Sequence, residues 1–181
     1  NICAGIVAKR LGLPISHFIA STNINDTVPR YLETQDYQPN LSKQTISNAM
    51  DVGNPSNFIR IQSLYGNDFD VLKQDFSSYA YDDVETKLAL AELHQKHNYV
   101  ADPHGAVGYL GLQRFLENNP DHYGIFLETA HPIKFRDTVE ETLGLTLDIP
   151  TQIQHILDKK PEKTSLSGYE AFKEYLLSQA V

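Results

Sequence analysis

Short apolar runs that stop at polar clusters, set between stretches of helical periodicity, decide what this chain can fold into. Ile15-Ser16-His17-Phe18-Ile19-Ala20 runs into Ser21-Thr22-Asn23, and Tyr123-Gly124-Ile125-Phe126-Leu127 runs into Glu128-Thr129-Ala130-His131-Pro132. Strands that alternate with helices favour parallel pairing with helices on both faces: α/β, a three-layer sandwich with a mostly parallel sheet. Only two or three strands can be read, which is few for a parallel sheet whose strands need neighbours and cover. Asn1 is not an initiator methionine, and Asn1 to Gly12 already reads as a helix without a leader pattern. Together these features predict a piece of a larger domain.

The remaining punctuation predicts the helices. Pro14 blocks continuation of the first helix. Asn25 or Asp26 is placed to cap a short helix from Thr27, with Pro29 in its first turn. Phe58, Ile61, Leu64 and Tyr65 share one helical face before Gly66. Asp82 or Asp83 caps a helix to Asn98 whose stripe is read as Val84, Leu88 and Ala91, with Leu90 beside them. Asp102-Pro103-His104-Gly105 opens another helix carrying Val107, Leu110 and Phe115, which ends near Asn118-Asn119-Pro120. Helices are expected over Ile133–Leu143, stopped by Gly144, and over Pro150–Leu157 and Ser167–Leu177. Residues 1–150 read as the main body and 151–181 as a helical extension packing on it.

Composition removes several function classes. Acidic side chains outnumber basic ones 23 to 15, for a net charge of -8. A nucleic-acid partner would need a basic stripe to neutralise phosphates. No apolar run has the length of a membrane span, so no membrane partner is expected. Cys3 is the single cysteine, so no internal disulfide can form, which fits a reducing, cytoplasmic setting. His94 and His97 share a helix face but have no Cys pair or carboxylate at ligand spacing, so they read as solvated residues and no metal site is expected. No nucleophile elbow and no complete phosphate-binding loop is present.

What remains is a set of polar strand ends. Ligands of open α/β sheets bind outside the carboxyl ends of the strands. Ser21-Thr22-Asn23, Asp102-Pro103-His104-Gly105 and Glu128-Thr129-Ala130-His131-Pro132 are candidates for one such rim. Taken singly, each is better explained by caps and turns, and their coincidence on one rim is what favours a site.

These residues carry a family resemblance. Asn1-Ile2-Cys3-Ala4-Gly5-Ile6-Val7-Ala8-Lys9, Phe18 to Arg30, Ser47 to Val52, Asp102 to Gly108, and Thr129-Ala130-His131-Pro132-Ile133-Lys134-Phe135 resemble, in order, the threonine synthase family of fold-type II pyridoxal-phosphate enzymes. The likeness covers residues 1 to about 150. It implies that residues 1–150 are the C-terminal part of the cofactor-binding large domain. It implies pyridoxal 5'-phosphate as cofactor and conversion of O-phosphohomoserine and water to threonine and phosphate. The lysine that forms the Schiff base lies upstream in the family, so no catalytic residue is assigned in this chain, and the missing N-terminal part of the same enzyme is an expected partner. The chain alone is expected to be inactive. Asn1 resembles the last residue of the loop that grips the cofactor phosphate, where backbone amides at a helix start face an anion. Thr129 matches the residue facing the pyridine nitrogen, while strand alternation turns Glu128 the other way. His131 and Pro132 read as structural, Pro132 ending the strand. Another pyridoxal-phosphate lyase or dehydratase, or a non-catalytic binding module that kept the fold, are the alternatives.

Overall fold

The structure is a computed structural model that describes residues 1–156, 159–160 and 162–179. The chain divides into two compact units, Asn1–Leu147 and Asp148–Val181. The first holds α1 (Ile2–Arg10), β1 (Phe18–Thr22), α2 (Thr27–Thr34), α3 (Phe58–Leu64), α4 (Phe69–Asp75), β2 (Phe76–Ala80), α5 (Asp83–His97), α6 (Pro103–Asn118) and α7 (Arg136–Leu143). The second holds α8 (Thr151–Gln154) and α9 (Tyr169–Gln179). The expected helix end at Leu157 lies outside the described residues.

β1 and β2 pair in parallel, with Phe18 opposite Phe76 and Thr22 opposite Ala80. Alternate residues of a strand face opposite sides. On one side Phe18 and Phe76 join Ile6, Tyr31, Leu32, Phe58 and Leu72 in a core, with Ile61, Leu64 and Tyr65 of the predicted α3 face packed against it. On the other side Ile19 and Ser21 meet α6 at Gly111, where an added Cβ would lie 1.8 Å from Ser21 Oγ. Helices therefore cover both faces of a small parallel sheet, giving the three layers.

β2 and α4 have no counterpart in the sequence reading. α4 passes into β2 without a turn, and Phe-Ser-Ser-Tyr-Ala looks too polar for a buried strand. The serines are accommodated by bonding to their neighbours: Ser78 donates to Ala20 O at 2.6 Å, and Ser77 Oγ meets the His17 ring at 2.8 Å. The same pairing moves β1 to Phe18–Thr22 from the expected Ile15–Ala20, because a strand's limits follow its partner's.

Three other expectations are corrected. Residues 123–127 form no strand, since they pair with no other strand among the described residues. They keep a strand's alternation: Phe126, Glu128 and Ala130 are half-buried while Ile125, Leu127 and Thr129 are exposed. On α5 the buried stripe is Thr86, Ala89, Leu90 and Leu93, and Val84 and Leu88 are each 66% exposed. Two apolar stripes are available there, and packing on Ala101, Ala106 and Tyr109 selects one. The start of α5 is fixed as expected by Asp82, in a capping box with Glu85. On α2 neither Asn25 nor Asp26 makes a side-chain cap; Asp26 instead accepts from Arg30 Nε at 2.9 Å.

Gly53 anchors the long loop between α2 and α3. A Cβ there would lie 2.0 Å from the backbone oxygen of Asn40, which cannot rotate away. Its carbonyl also accepts from the buried Thr27 hydroxyl at 2.7 Å. Gly53→Ala is expected to cost about 1–3 kcal/mol, measured by urea denaturation.

Candidate functional site

At the carboxyl end of β1, Asn23 is 1% exposed and works as a hub. Its Nδ2 donates to Thr45 Oγ1 and Asp51 Oδ1, each at 2.8 Å, with the Ser47 carbonyl at 3.3 Å and hydroxyl at 3.2 Å close by. Its Oδ1 accepts from the backbone and side-chain amides of Asn25 at 3.0 and 2.8 Å. Asp51 in turn accepts from the Thr45 amide at 3.0 Å and hydroxyl at 2.8 Å. The loop carrying the 3-10 turn Asn48–Met50 is thereby drawn onto the end of the strand.

A second network begins at that turn. The Ala49 amide donates to His104 Nε2 at 3.1 Å. A nitrogen that accepts an N–H carries a lone pair, so the proton of this imidazole sits on Nδ1. His104 Nδ1 then donates to Asp102 Oδ1 at 2.6 Å. Asp102 is fully buried, and the same Oδ1 accepts from the His104 amide at 2.9 Å, which caps α6. His104 also rests against the Phe135 ring, centroid to centroid 4.7 Å. Glu128 reaches the group from the segment before Thr129, with its carboxyl over Gly105. A Cβ on Gly105 would fall 1.8 Å from Glu128 Oε1 and 2.2 Å from its Cδ, so only glycine leaves room for this acid.

The two acids are driven apart electrostatically. Burial, then the hydrogen bond to Asp102 and its charge, push Glu128 up to about 8, and the Asp102 backbone amide offsets only part of this. Burial also opposes charge on Asp102, but bonds from His104 and Glu128 outweigh it and hold its carboxyl below the usual range.

The expected rim is thus assembled in part. The β1 end, the Ser47–Asp51 stretch and the Asp102–Gly105 turn are tied together by side chains, and the 128–132 segment joins through Glu128. Thr129 is exposed while Glu128 is half-buried. His131 caps the 3-10 turn Pro132–Phe135, its Nδ1 accepting from the Ile133 amide at 3.1 Å. Asn1 stands exposed at the start of α1 and makes no side-chain cap. α1 runs against β1: Lys9 reaches Ser16 O, before the strand, and Gly5 lies against Phe18. Asn1, one turn further back, therefore points toward the carboxyl end of β1. α6 has the same sense, with Gly111 on Ser21 and Phe115 stacked on His17. Among the described residues no three His, Cys, Asp or Glu side chains converge to hold a metal ion.

The sequence placed Glu128 on the rim and Asp51 in a matching stretch but assigned neither a partner, and the glycine face of α6 went unread. Gly105, Gly108 and Gly111, three apart in a helix, were the available signal for close approach of another segment.

Residues 105–176 match the family model described as threonine synthase, C-terminal. Threonine synthase of Escherichia coli (strain K12) is 44% identical over 158 residues, which are 87% of this chain and 36% of that protein. The chain thus spans well under half the length of this relative. The crystal structure of threonine synthase from Escherichia coli superposes on 98% of this chain and 41% of its own, with 39% identity and a TM-score of 0.88. A threonine synthase from Brucella melitensis, whose crystal structure has PLP bound, gives a TM-score of 0.82 at 28% identity over 99% of this chain and 44% of that one.

Proposed function

Because the chain belongs to the threonine synthase family, we propose that it forms part of a pyridoxal-phosphate lyase converting O-phosphohomoserine and water to threonine and phosphate. The observation that carries this reading is the structural agreement with threonine synthases over nearly the whole chain. The rest of the same enzyme, including the lysine that holds the cofactor, completes the site. No described helix is long and apolar enough to cross a membrane. The family likeness and the single cysteine support a cytoplasmic enzyme.

The residues present suit such a cofactor at two points. The first turn of α1 contains no acidic side chain, and no side chain occupies its free amides, so it suits an anionic phosphate. Thr129 offers an exposed hydroxyl at the end of its segment, able to donate to a neutral pyridine nitrogen. When bound, the cofactor supplies the electron sink for the reaction. A carboxylate at that nitrogen would favour the protonated ring, and Glu128 is kept from it by its seat on Gly105.

The test is phosphate release from O-phosphohomoserine by the full-length protein with pyridoxal phosphate. Ammonia release from threonine or serine without phosphate release would favour a dehydratase, and neither activity would favour a binding module. Thr129→Ala in the full-length protein is expected to weaken cofactor binding about two- to tenfold, the worth of one hydrogen bond. Unchanged affinity would remove Thr129 from the site.

A further inference from the structure

We propose that Glu128 and Asp102 share a single proton, carried by Glu128, and that this acid pair is the positioning element that fixes the Thr129 segment and the Ala49 turn to the start of α6. Two buried oxygens are orphaned at the start of α6. Asp102 Oδ2 and Glu128 Oε1 are both buried, and neither meets a donor among the described residues. Both are acceptors, and both sit at the start of α6, Glu128 Oε1 over Gly105 and Asp102 at the cap, where each carboxyl acts on the other. Two ionised carboxylates so placed would repel in a site with little water. One proton between the two oxygens satisfies both at once.

The surroundings decide which acid carries it. Asp102 Oδ1 already accepts two N–H groups, the His104 amide at 2.9 Å and His104 Nδ1 at 2.6 Å, and both favour its charge. Glu128 has Gly105 beneath it, and its carboxyl is pressed against a helix backbone with no Cβ between them. Glu128 O–H therefore donates to Asp102 Oδ2, Asp102 stays charged, and the pair holds one negative charge. The ionisable groups facing Glu128 are Asp102 and, from the connection between α5 and α6, Tyr99; His104 reaches it through Asp102.

The consequence is positional. Glu128 is one residue from Thr129, so seating the acid sets where Thr129 stands. Asp102 orients His104, and His104 holds the amide of Ala49. Loss of the proton would place two charges together and lift Glu128 off Gly105. The link to Thr129 rests on the proposed function; the shared proton rests on the two orphaned oxygens, the seat of Glu128 over Gly105 and the mutual electrostatics of the pair.

The experiment compares full-length wild type with Glu128→Gln and Glu128→Ala. Glutamine keeps a donor for Asp102 Oδ2 but cannot titrate. Infrared difference spectra against Glu128→Gln should show a carboxylic-acid band in wild type at neutral pH that fades as pH rises through about 8. Cofactor affinity should fall severalfold across that rise in wild type, stay flat in Glu128→Gln, and be weak at every pH in Glu128→Ala. No acid band at neutral pH, or an affinity profile that Glu128→Gln leaves unaltered, overturns the inference. A band without any threonine synthase activity would retain the shared proton and reject the proposed function instead.

Discussion

Asn23→Ala is expected to destabilise the protein by about 2–4 kcal/mol, although it removes only a few atoms at the end of a strand. Asn23 is 1% exposed and satisfies Asp51, Thr45 and both amides of Asn25. Alanine leaves the Asn25 amide and a carboxylate oxygen of Asp51 short of partners in a buried place, where each unsatisfied group costs about 1–3 kcal/mol. Asn23→Asp should cost more near neutral pH. It keeps the shape but sets a second carboxylate where Nδ2 now stands 2.8 Å from Asp51 Oδ1. Two acids at that distance raise the titration point of one of them above its unfolded value. The sign follows: Asn23→Asp is least destabilised at acid pH, and its deficit grows as pH rises through the raised value. Urea denaturation of wild type and both variants at several pH values checks this. A pH-independent deficit in Asn23→Asp would show that the two acids do not meet. The loop from Lys43 to Gly53 should become susceptible to proteolysis in both variants, because Asn23 and Asn25 hold it.

Sequence legibility followed how local each cause was. The ends of α3 and α7 at Gly66 and Gly144 were readable, because a left-handed turn of φ +64° or +65° favours glycine whatever lies around it. The caps at Asp82 and Asp102 were readable for the same reason, each bonding an amide two or three residues on. β2 was not readable, since its serines become suited to a strand only once Ala20 and His17 lie beside them. The stripe of α5 was ambiguous until α6 chose a face. At the site, the expected alternation agrees with the burial of the segment, Glu128 half-buried and Thr129 exposed. What it could not supply was the destination of Glu128, which depends on Asp102 and Gly105 more than twenty positions away. The resemblance named Thr129, and the fold supplied the reason its neighbour matters.

Asp102→Ala is expected to have the largest single effect, a loss of about 3–5 kcal/mol. The side chain is fully buried and serves three partners: the His104 amide, His104 Nδ1 and Glu128. Removing it deletes the cap of α6, worth about 1 kcal/mol. It also strands the imidazole N–H and the proton of Glu128, each a buried polar group without a partner. Asp102 titrates below its ordinary range in the folded protein, so its contribution is present above the unfolded value and is lost as pH falls through the folded one. Glu128 behaves in the opposite way. Its folded value is raised to about 8, so its contribution is full below the ordinary glutamate range and is lost as pH rises toward that value. In this respect wild type should be most stable in the ordinary carboxylate range, where Asp102 is ionised and Glu128 keeps its proton, and should lose stability from there through neutrality toward about pH 8. Asp102→Ala should flatten the alkaline limb, because two of the causes that raise Glu128, the bond to Asp102 and its charge, go with it. A double-mutant cycle with Glu128→Ala measures the pair directly, and residues in contact are expected to couple by about 0.5–3 kcal/mol. Additive losses, with an unchanged alkaline limb in Asp102→Ala, would mean that the two carboxyls act separately and that the α6 cap alone explains the buried aspartate.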